Sequence, residues 1–438
     1  MSTNFTKIDS CKMMKKIHII LFFMSLNMLL NAQNRTYPYS ILQYPFIKYE
    51  YNKIDFPADS SSYNLVLEKL HKLVTKGEGK LEILQIGGSH IQADIYSNVA
   101  RYRLQNFYPG LNGGRGFVFP YSLAKTNNPV SLKVEYKGNW KGYRNIQKKY
   151  KHKVLGLSGI AVSTTDSLAS FKIYSYKSYH HYDFNRVKLF YKIDSLNYRI
   201  HIADSSIIDS IYTDSLLQYT EYFLSKYIDT LNVSLTKIDS TEHEFVFYGA
   251  DLETDDPGVV YHSIGINGAS VPSFLRCQLF EEQLKVISPD LVVLSLGTND
   301  AYGKSFNPNV YFNNYDTLIQ RIISANPNVA IMITVPNDDY LYKRYPNPFT
   351  AEQETVIYKL AKKYNAGIWD LYKIMGGLNS SQTWYDYRLM RYDRIHFTKD
   401  GYLLKGDLFF NAILKMYDNY IDGLNRPSDI RKSLLNIN

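Results

Sequence analysis

Short apolar runs that end in turns are the feature that most constrains the fold of this chain. Leu81–Ile86 and Pro289–Leu296 have the length of buried strands, and each leads directly into a turn that contains glycine. Nearly continuous apolar strands are typical of parallel sheets that are covered on both faces. A helical pattern follows the first run, and strand, tight turn and helix form the opening unit of an open parallel sheet. The sequence therefore predicts an α/β fold.

The alternation of strands and helices is interrupted once, between about residues 126 and 255. On either side, apolar periodicity predicts helices at 59–76, 91–107, 270–286, 309–325, 351–364 and 401–417, and further strands at 329–335 and 367–371. Inside the interruption, short runs are rich in valine, isoleucine, tyrosine and phenylalanine, at 131–136, 170–176, 186–192, 197–203, 231–237 and 244–248. Their spacing predicts an antiparallel β-sandwich. Residues 205–228 are ambiguous between a helix and long loops.

The first 32 residues have the features of a secretory signal peptide. A basic segment that ends in Lys15 and Lys16 precedes an apolar stretch from Ile17 to Leu30, and Ala32 offers a small residue for cleavage before Gln33. The stretch is shorter than the roughly 20 residues needed to cross a bilayer, although an uncleaved membrane anchor is the alternative. We expect a periplasmic or secreted protein with no membrane span after cleavage.

These patterns divide the chain into six parts. We predict a signal peptide at 1–32, a linker at 33–58, the first part of the α/β domain at 59–125, an inserted β-sandwich at 126–255, the second part of the α/β domain at 256–425 and a tail at 426–438. The β-rich block is interpreted as an insertion because residues with catalytic character lie on both sides of it.

Composition and charge exclude several classes of protein. Charged residues make up 21% and hydrophobic residues 45% of the chain, which argues against disorder. A net charge of +9 without a block of lysine or arginine gives no sign of a nucleic-acid partner. The chain has two cysteines, too few for a disulfide framework, and Cys277 is predicted to be a core residue rather than a nucleophile. No spacing supports a zinc site, and His180, His181 and Asp183 are interpreted as structural or surface residues.

Three segments place polar groups at turns that follow strands or precede helices. Ser89 lies on a predicted strand-to-helix turn, where its own backbone N–H is free for a ligand. Gly268 precedes a predicted helix and could offer a second backbone N–H to the same cleft. Asn299 follows the apolar strand of residues 289–296 and could donate its side-chain amide to a developing oxyanion without carrying a charge. Taken alone, the segments of Ser89 and Gly268 fit an ordinary turn better than a site, and that of Asn299 can be a polar loop cap.

A fourth segment carries a histidine and a carboxylate three residues apart, His396 and Asp393. One loop can hold both side chains near a serine. A histidine that transfers a proton needs an acceptor that orients its ring and stabilises the imidazolium, and a carboxylate supplies that role. The spacing by itself is common and unspecific.

Together and in this order, the four segments resemble the motifs of the SGNH (GDSL-type) hydrolase superfamily. The resemblance covers about residues 81–125 and 255–417, and it implies a three-layer α/β/α, flavodoxin-like domain with a parallel sheet. The chain departs from the family pattern at Gly88, since the family usually has an aspartate immediately before the nucleophile. Activity is still expected, because the nucleophile, the base and the oxyanion donors are all kept.

The resemblance implies a role for each of the residues that match. Ser89 would be the nucleophile, His396 the general base and Asp393 the acid of a catalytic triad. The backbone N–H groups of Ser89 and Gly268 and the amide of Asn299 would form the oxyanion hole. The resemblance implies no metal and no organic cofactor.

The residues after the serine narrow the resemblance. His90, Gln92 and Asp94 are similar to those of the cell-wall and exopolysaccharide branch of the superfamily. In that branch, bacterial peptidoglycan O-acetylesterases carry a carbohydrate-binding-type β-sandwich at the place of residues 126–255. The resemblance therefore implies an O-acetylated glycan as substrate and removal of acetyl from the muramyl O-6 position. We expect exposed aromatic residues of this block, such as Trp140, to stack on sugars.

Other functions stay open at this point. The same triad could pass acetyl to another sugar, as an O-acetyltransferase, or act as an esterase on another polysaccharide or a lipid. A non-catalytic glycan-binding protein is the third possibility, because Gly88 removes the family's usual carboxylate. Acetate release with and without an acceptor glycan separates the three. We expect a monomer.

Overall fold

The computed structural model describes residues 43–150, 152–193, 197–202, 204–239 and 243–425. The predicted signal peptide, the first ten residues of the predicted linker, the predicted tail and Cys11 lie outside them. None of the described helices has both the length and the apolar character needed to cross a membrane. Within the same residues, no cluster of three or more histidine, cysteine, aspartate or glutamate side chains could hold a metal ion.

A six-stranded sheet forms the centre of the α/β part. Numbered along the chain, its strands lie in the order β1 (Ile54–Asp55), β19 (Gly367–Asp370), β16 (Ala330–Val335), β15 (Leu291–Ser295), β2 (Lys80–Gly87) and β14 (Gly258–Gly265). All neighbours are parallel except β1, which runs antiparallel to β19. Because β2 lies between β15 and β14, the loops after these three strands meet at one edge of the sheet.

Helices pack on this sheet in two groups. One comprises α1 (Asn64–Lys76), α3 (Tyr96–Asn106) and α10 (Lys399–Asn425), and the other comprises α5 (Phe280–Ile287), α6 (Pro308–Ala325) and α7 (Phe349–Tyr364). Arg103 pairs with Asp407 at 2.8 Å in the first group, and Tyr364 Oη donates to Asp316 at 2.6 Å in the second. The remaining helices are short: α2 (Ser89–Gln92), α4 (Val271–Phe274), α8 (Leu371–Met375) and α9 (Ser380–Asp386). The α/β fold with a parallel sheet is confirmed.

Two antiparallel sheets make up most of the β-rich part. One has the order β10 (Ile208–Asp214), β11 (Tyr219–Ile228), β8 (Phe184–Tyr191), β13 (Phe245–Glu253), β6 (Ile160–Thr164) and β5 (Lys141–Arg144), with β3 (Gly114–Val118) also paired to β13. The other has the order β4 (Leu132–Lys137), β7 (Leu168–Ser175), β12 (Thr230–Lys237) and β9 (Tyr198–His201), and a separate pair joins β17 (Tyr340–Leu341) to β18 (Tyr345–Pro346). Phe171 and Phe247 join the two larger sheets, with ring centroids 4.9 Å apart. The ambiguous residues 205–228 contain β10 and β11.

One strand pairs across the boundary that the sequence predicts between the two parts. β3 lies within residues 59–125, yet it pairs with β13, where Val118 is opposite Ala250. Buried residues of both parts belong to one hydrophobic core, and the described residues from Gln43 onward form one compact unit. Strand pairing between distant segments leaves no local pattern in the sequence, so periodicity alone could not place this boundary.

Trp140 corrects another expectation. Its side chain is buried, with 9% of its surface exposed, and it packs edge-on against Phe171 with ring centroids 5.9 Å apart. Its indole N–H donates to the backbone oxygen of Lys137 at 3.0 Å. The indole therefore buries its apolar surface within the fold and satisfies its one polar group there, so it is unavailable for stacking on a sugar.

Three smaller differences concern elements of the α/β part. Residues 54–55, predicted to belong to a linker, form the edge strand β1. The predicted helix 91–107 is divided into α2 and α3, because Asp94 between them adopts a left-handed backbone with φ of 49°. The helix predicted at 270–286 is divided into α4 and α5.

Cys277 is buried as predicted, and burial raises the pKa of its thiol to about 12.

Candidate active site

Ser89, His396 and Asp393 form a continuous chain of hydrogen-bonded side chains. Ser89 Oγ lies 2.9 Å from His396 Nε2, and His396 Nδ1 lies 2.8 Å from Asp393 Oδ2. In this order an imidazole can take the proton of the hydroxyl while the carboxylate fixes the orientation of the ring. The fold brings the serine and the histidine together across 307 positions of sequence.

The carboxylate of Asp393 is held by its own loop. Its Oδ1 accepts hydrogen bonds from the backbone N–H groups of Ile395, at 3.0 Å, and of His396, at 2.9 Å. Burial on its own would raise the pKa of Asp393, but the hydrogen bonds from His396 and Ile395 outweigh burial and hold that pKa at about 2. Asp393 is therefore ionised throughout the physiological pH range and can balance a positive charge on His396.

The three predicted oxyanion residues line the same cavity as His396. Among the residues described, the backbone N–H groups of Ser89 and Gly268 donate to no protein acceptor. Gly268 adopts a φ of +81°, a left-handed conformation that glycine adopts without strain. Asn299 Nδ2 donates one hydrogen to the backbone oxygen of Ala269 at 3.0 Å, and an amide nitrogen carries a second hydrogen for a ligand.

Gln92 connects the serine turn with the loop that carries Gly268. Its Oε1 accepts a hydrogen bond from the backbone N–H of Asn267 at 2.6 Å, and its Nε2 donates to the backbone oxygen of Asn127 at 2.8 Å. Gln92 belongs to the same short helix as Ser89. Because Asn267 immediately precedes Gly268, this side chain fixes the position of the second loop relative to the serine.

Two aspartates, the half-buried Asp300 and the buried Asp94, hold the surrounding segments. Asp300 accepts two hydrogen bonds from the backbone N–H of Val271, at 3.0 and 3.2 Å, and so ties the Asn299 loop to the helix that follows Gly268. Burial raises the pKa of Asp300 to about 7. Asp94 lies just after the serine turn and forms ion pairs with the buried side chains of Arg101, at 3.1 Å, and Arg115, at 2.6 Å. Arg115 belongs to β3, so Asp94 connects the serine turn with the β-rich part.

The cavity has a volume of about 600 Å³ and receives residues from both parts of the fold. Asn127 and Val130 come from the predicted insertion, and Arg391, Lys399 and Tyr402 come from the segment around His396. Motif matching did not assign these five residues a role. The only sequence signal for two of them is that Arg391 and Lys399 lie on either side of His396.

The chain is similar in sequence to known acylhydrolases. Residues 230–404 match the model of the GDSL-like lipase/acylhydrolase family. The matched range includes Gly268, Asn299, Asp393 and His396 but not Ser89, so the position of Ser89 in the site rests on the geometry above. No curated protein matches the chain.

Solved structures extend the comparison to the fold. A structure of a peptidoglycan O-acetylesterase has 20% sequence identity and a TM-score of 0.67, and the match covers 84% of this chain and 99% of that one. A lipase/acylhydrolase from Enterococcus faecalis has 25% identity and a TM-score of 0.29, covering 36% of this chain and 76% of its own. An acetyl xylan esterase has 20% identity and a TM-score of 0.29, and the match covers 36% of this chain and 82% of that one. The first likeness shows a shared fold over most of both chains.

Proposed function

We propose that this chain, a carboxylic ester hydrolase with a GDSL-like acylhydrolase domain, is an exported serine esterase that removes O-acetyl groups from a cell-wall glycan, with peptidoglycan as the favoured substrate. The observation that carries the reaction type is the hydrogen-bonded chain from Ser89 to Asp393 beside the donors of Gly268 and Asn299 in one cavity. The fold shared with a peptidoglycan O-acetylesterase supports the choice of glycan.

In the proposed mechanism, acyl transfer proceeds in two steps. His396 takes the proton of Ser89 as the hydroxyl attacks the ester carbonyl, and Asp393 stabilises the imidazolium that forms. The N–H groups of Ser89 and Gly268 and the amide of Asn299 donate to the oxyanion. The C–O bond to the sugar then breaks, and the sugar oxygen leaves with the proton from His396. Water repeats the sequence on the acetyl-enzyme and releases acetate.

Gly88 does not weigh against catalysis. A Cβ at this position would lie 3.4 Å from Asn299 Nδ2, so the side chain that the family usually has there would reach the amide of Asn299. Without that side chain, the distances from Ser89 to His396 and from His396 to Asp393 are still 2.9 and 2.8 Å. The amide of Asn299 donates to the backbone oxygen of Ala269. This geometry favours an active esterase over a non-catalytic binding protein.

Acetate release from purified protein tests the proposal. We expect acetate from O-acetylated peptidoglycan, less from acetylated xylan, and none from either when Ser89→Ala replaces the wild-type protein. Adding an unacetylated acceptor glycan should leave the amount of free acetate unchanged, whereas an O-acetyltransferase would divert acetyl to the acceptor. A folded protein that releases no acetate from any ester would refute the esterase.

Export is tested separately, since the N-terminal residues lie outside the structure. Protein isolated from its native host should begin near Gln33, as a cleaved signal peptide requires. A mature protein that retains residues 14–32 would instead support a membrane anchor.

A further inference from the structure

The residues that line the active-site cavity carry positive but no negative charge. Sixteen residues line the cavity, and none of them is an aspartate or a glutamate. Arg391 and Lys399 are the one arginine and the one lysine among these sixteen residues. Both are exposed at the mouth of the cavity, where a ligand can reach them.

Neither cation is paired with an acidic side chain of the described residues. Within the described residues, the side chains of Arg391 and Lys399 take part in no ion pair and no side-chain hydrogen bond. The neighbouring Arg394 is different, because its Nε donates to Gln382 at 2.6 Å and its guanidinium packs over the ring of Tyr385 at 4.7 Å. The side chains of Arg391 and Lys399, unlike that of Arg394, are therefore available to contact a ligand in the cavity.

The backbone fixes both cations on the histidine side of the cavity. The N–H of Arg391 donates to the backbone oxygen of His396 at 2.8 Å, and Lys399 begins the last helix three residues after that histidine. In an acyl transfer, the oxyanion points to Ser89, Gly268 and Asn299, whereas the departing alcohol must lie at the imidazole that protonates it. The cations therefore lie on the side of the leaving group, which in the proposed function is the sugar.

We propose that Arg391 and Lys399 form an anion subsite that selects esters whose sugar carries a carboxylate. This inference rests on the proposed esterase function and specifies its substrate class as O-acetylated acidic sugars. Arginine presents a planar pair of donors that matches a carboxylate, and lysine adds a mobile point charge. The carboxylate could belong to the lactyl ether of a muramic acid that carries no peptide or to a uronic acid, and both sources share this chemistry.

Matched substrates test the subsite. O-acetylated muramic acid is compared with its carboxyl methyl ester, and O-acetylated glucuronic acid with its methyl ester, by kcat/KM for acetate release. We expect at least one acid to be preferred over its neutral ester by about fivefold, which is the usual scale for exposed ion pairs. The pair that shows the preference identifies the source of the carboxylate. The preference should fall when the salt concentration is raised from 0.1 to 1 M.

Variants assign the preference to these residues. Arg391→Gln and Lys399→Gln should each reduce the ratio of acid to neutral substrate through KM, and the double variant should abolish it. Arg391→Lys should retain part of it. Arg388→Gln is the matched control, since it removes one exposed charge from the same segment but does not line the cavity, and it should keep the wild-type ratio. Equal rates on both members of each pair, or a preference that survives in the double variant, would refute the subsite.

Binding separates failure of the subsite from failure of the esterase. Calorimetry with Ser89→Ala compares muramic acid and glucuronic acid with their methyl esters and needs no turnover. Tighter binding of an acid, lost on adding Arg391→Gln and Lys399→Gln, supports the subsite even if no ester is hydrolysed. Equal binding of acid and ester, with hydrolysis of small esters intact, refutes the subsite and leaves the esterase standing.

Discussion

The imidazole ring of His90 packs against the imidazole ring of His396, with ring centroids 5.2 Å apart and a tilt of 33° between the planes. His90 Nδ1 shares a hydrogen bond of 2.8 Å with Tyr402 Oη, whereas its Nε2 is shielded from solvent and has no protein partner in the described residues. Burial, reinforced by the charge of Lys405, lowers the pKa of His90 well below its ordinary value. A neutral ring therefore supports the proposed general base without adding a cation where the imidazolium forms.

This contact predicts that His90 acts as a positioning residue. His90→Phe keeps an aromatic ring but loses the bond to Tyr402, so we expect kcat on a small acetyl ester to fall about tenfold, since a small displacement of the base slows proton transfer. KM should change far less than kcat. Tyr402→Phe removes the hydroxyl that shares this hydrogen bond with His90, and it should also lower kcat. A folded His90→Phe variant with wild-type kcat would contradict this role.

The triad predicts strongly non-additive effects. Ser89→Ala and His396→Ala should each remove nearly all acetate release, and the double variant should be little worse than either, because both residues serve one proton-coupled attack. Asp393→Ala should be milder, since the carboxylate only orients and stabilises the base. Circular dichroism establishes that each variant is folded. If folded Ser89→Ala kept wild-type turnover, the assignment of the nucleophile would be wrong.

The oxyanion assignment predicts a loss in kcat rather than in binding. Asn299→Ala should cost about 3–4 kcal/mol of transition-state stabilisation, the usual result of removing one donor from an oxyanion hole. Asn299 also donates to Ala269, so thermal melting must accompany the kinetics. Asn313→Ala, on an exposed position of the helix Pro308–Ala325, is the control and should keep wild-type turnover. A KM effect of the same size with unchanged kcat would exclude the oxyanion role.

Lys405 predicts a stability gain that depends on pH. It is 5% exposed and packs over the rings of Tyr96 and Phe397, and burial lowers its pKa from 10.5 to about 7. The unfolded chain therefore binds the proton of Lys405 more tightly than the folded chain does. As a result, the free energy of unfolding is highest above pH 10.5, where Lys405 is neutral in both states, and it falls as the pH falls to about 7. Lys405→Met removes this loss of stability. It should raise the free energy of unfolding by about 2 kcal/mol near pH 9 and by a few kcal/mol near pH 6.

Urea unfolding at the two pH values measures this difference. Lys362→Met, on an exposed position of the helix Phe349–Tyr364, is the matched control. The free energy of unfolding of this variant should differ between pH 6 and pH 9 by as much as that of the wild-type protein. An equal gain for Lys405→Met at pH 6 and pH 9 would mean that the lysine is charged in the folded protein at both.

Trp140 predicts a loss of stability instead of a loss of glycan binding. Trp140→Ala removes a buried ring from its contact with Phe171 and should cost about 3–5 kcal/mol in the free energy of unfolding. Tyr136→Ala removes an aromatic ring that is 49% exposed on a nearby strand, so its cost should be small. Reduced binding of Trp140→Ala to polymeric glycan at a temperature where it is fully folded would restore the sugar-stacking interpretation.

The sequence predicted the local units of the fold because they depend on periodicity and on turns. The runs at residues 81–86 and 289–296 lie in the strands Lys80–Gly87 and Leu291–Ser295, and their turns carry Ser89 and Asn299. The strand Gly258–Gly265 was not predicted. It completes the site by holding the loop with Gly268 beside the serine turn, a position set by its pairing with a strand far away in the sequence.

The sequence by itself determined the α/β character, the burial of Cys277 and the residue types of the candidate triad, because composition and short spacings record them. Only the tertiary structure decided that β3 pairs with β13, that Trp140 is buried, and that Arg391 and Lys399 have no acidic partner among the described residues. These properties depend on which distant segments meet. Pairing, burial and charge neutralisation are relations between side chains separated along the chain, and no local pattern of residues contains them.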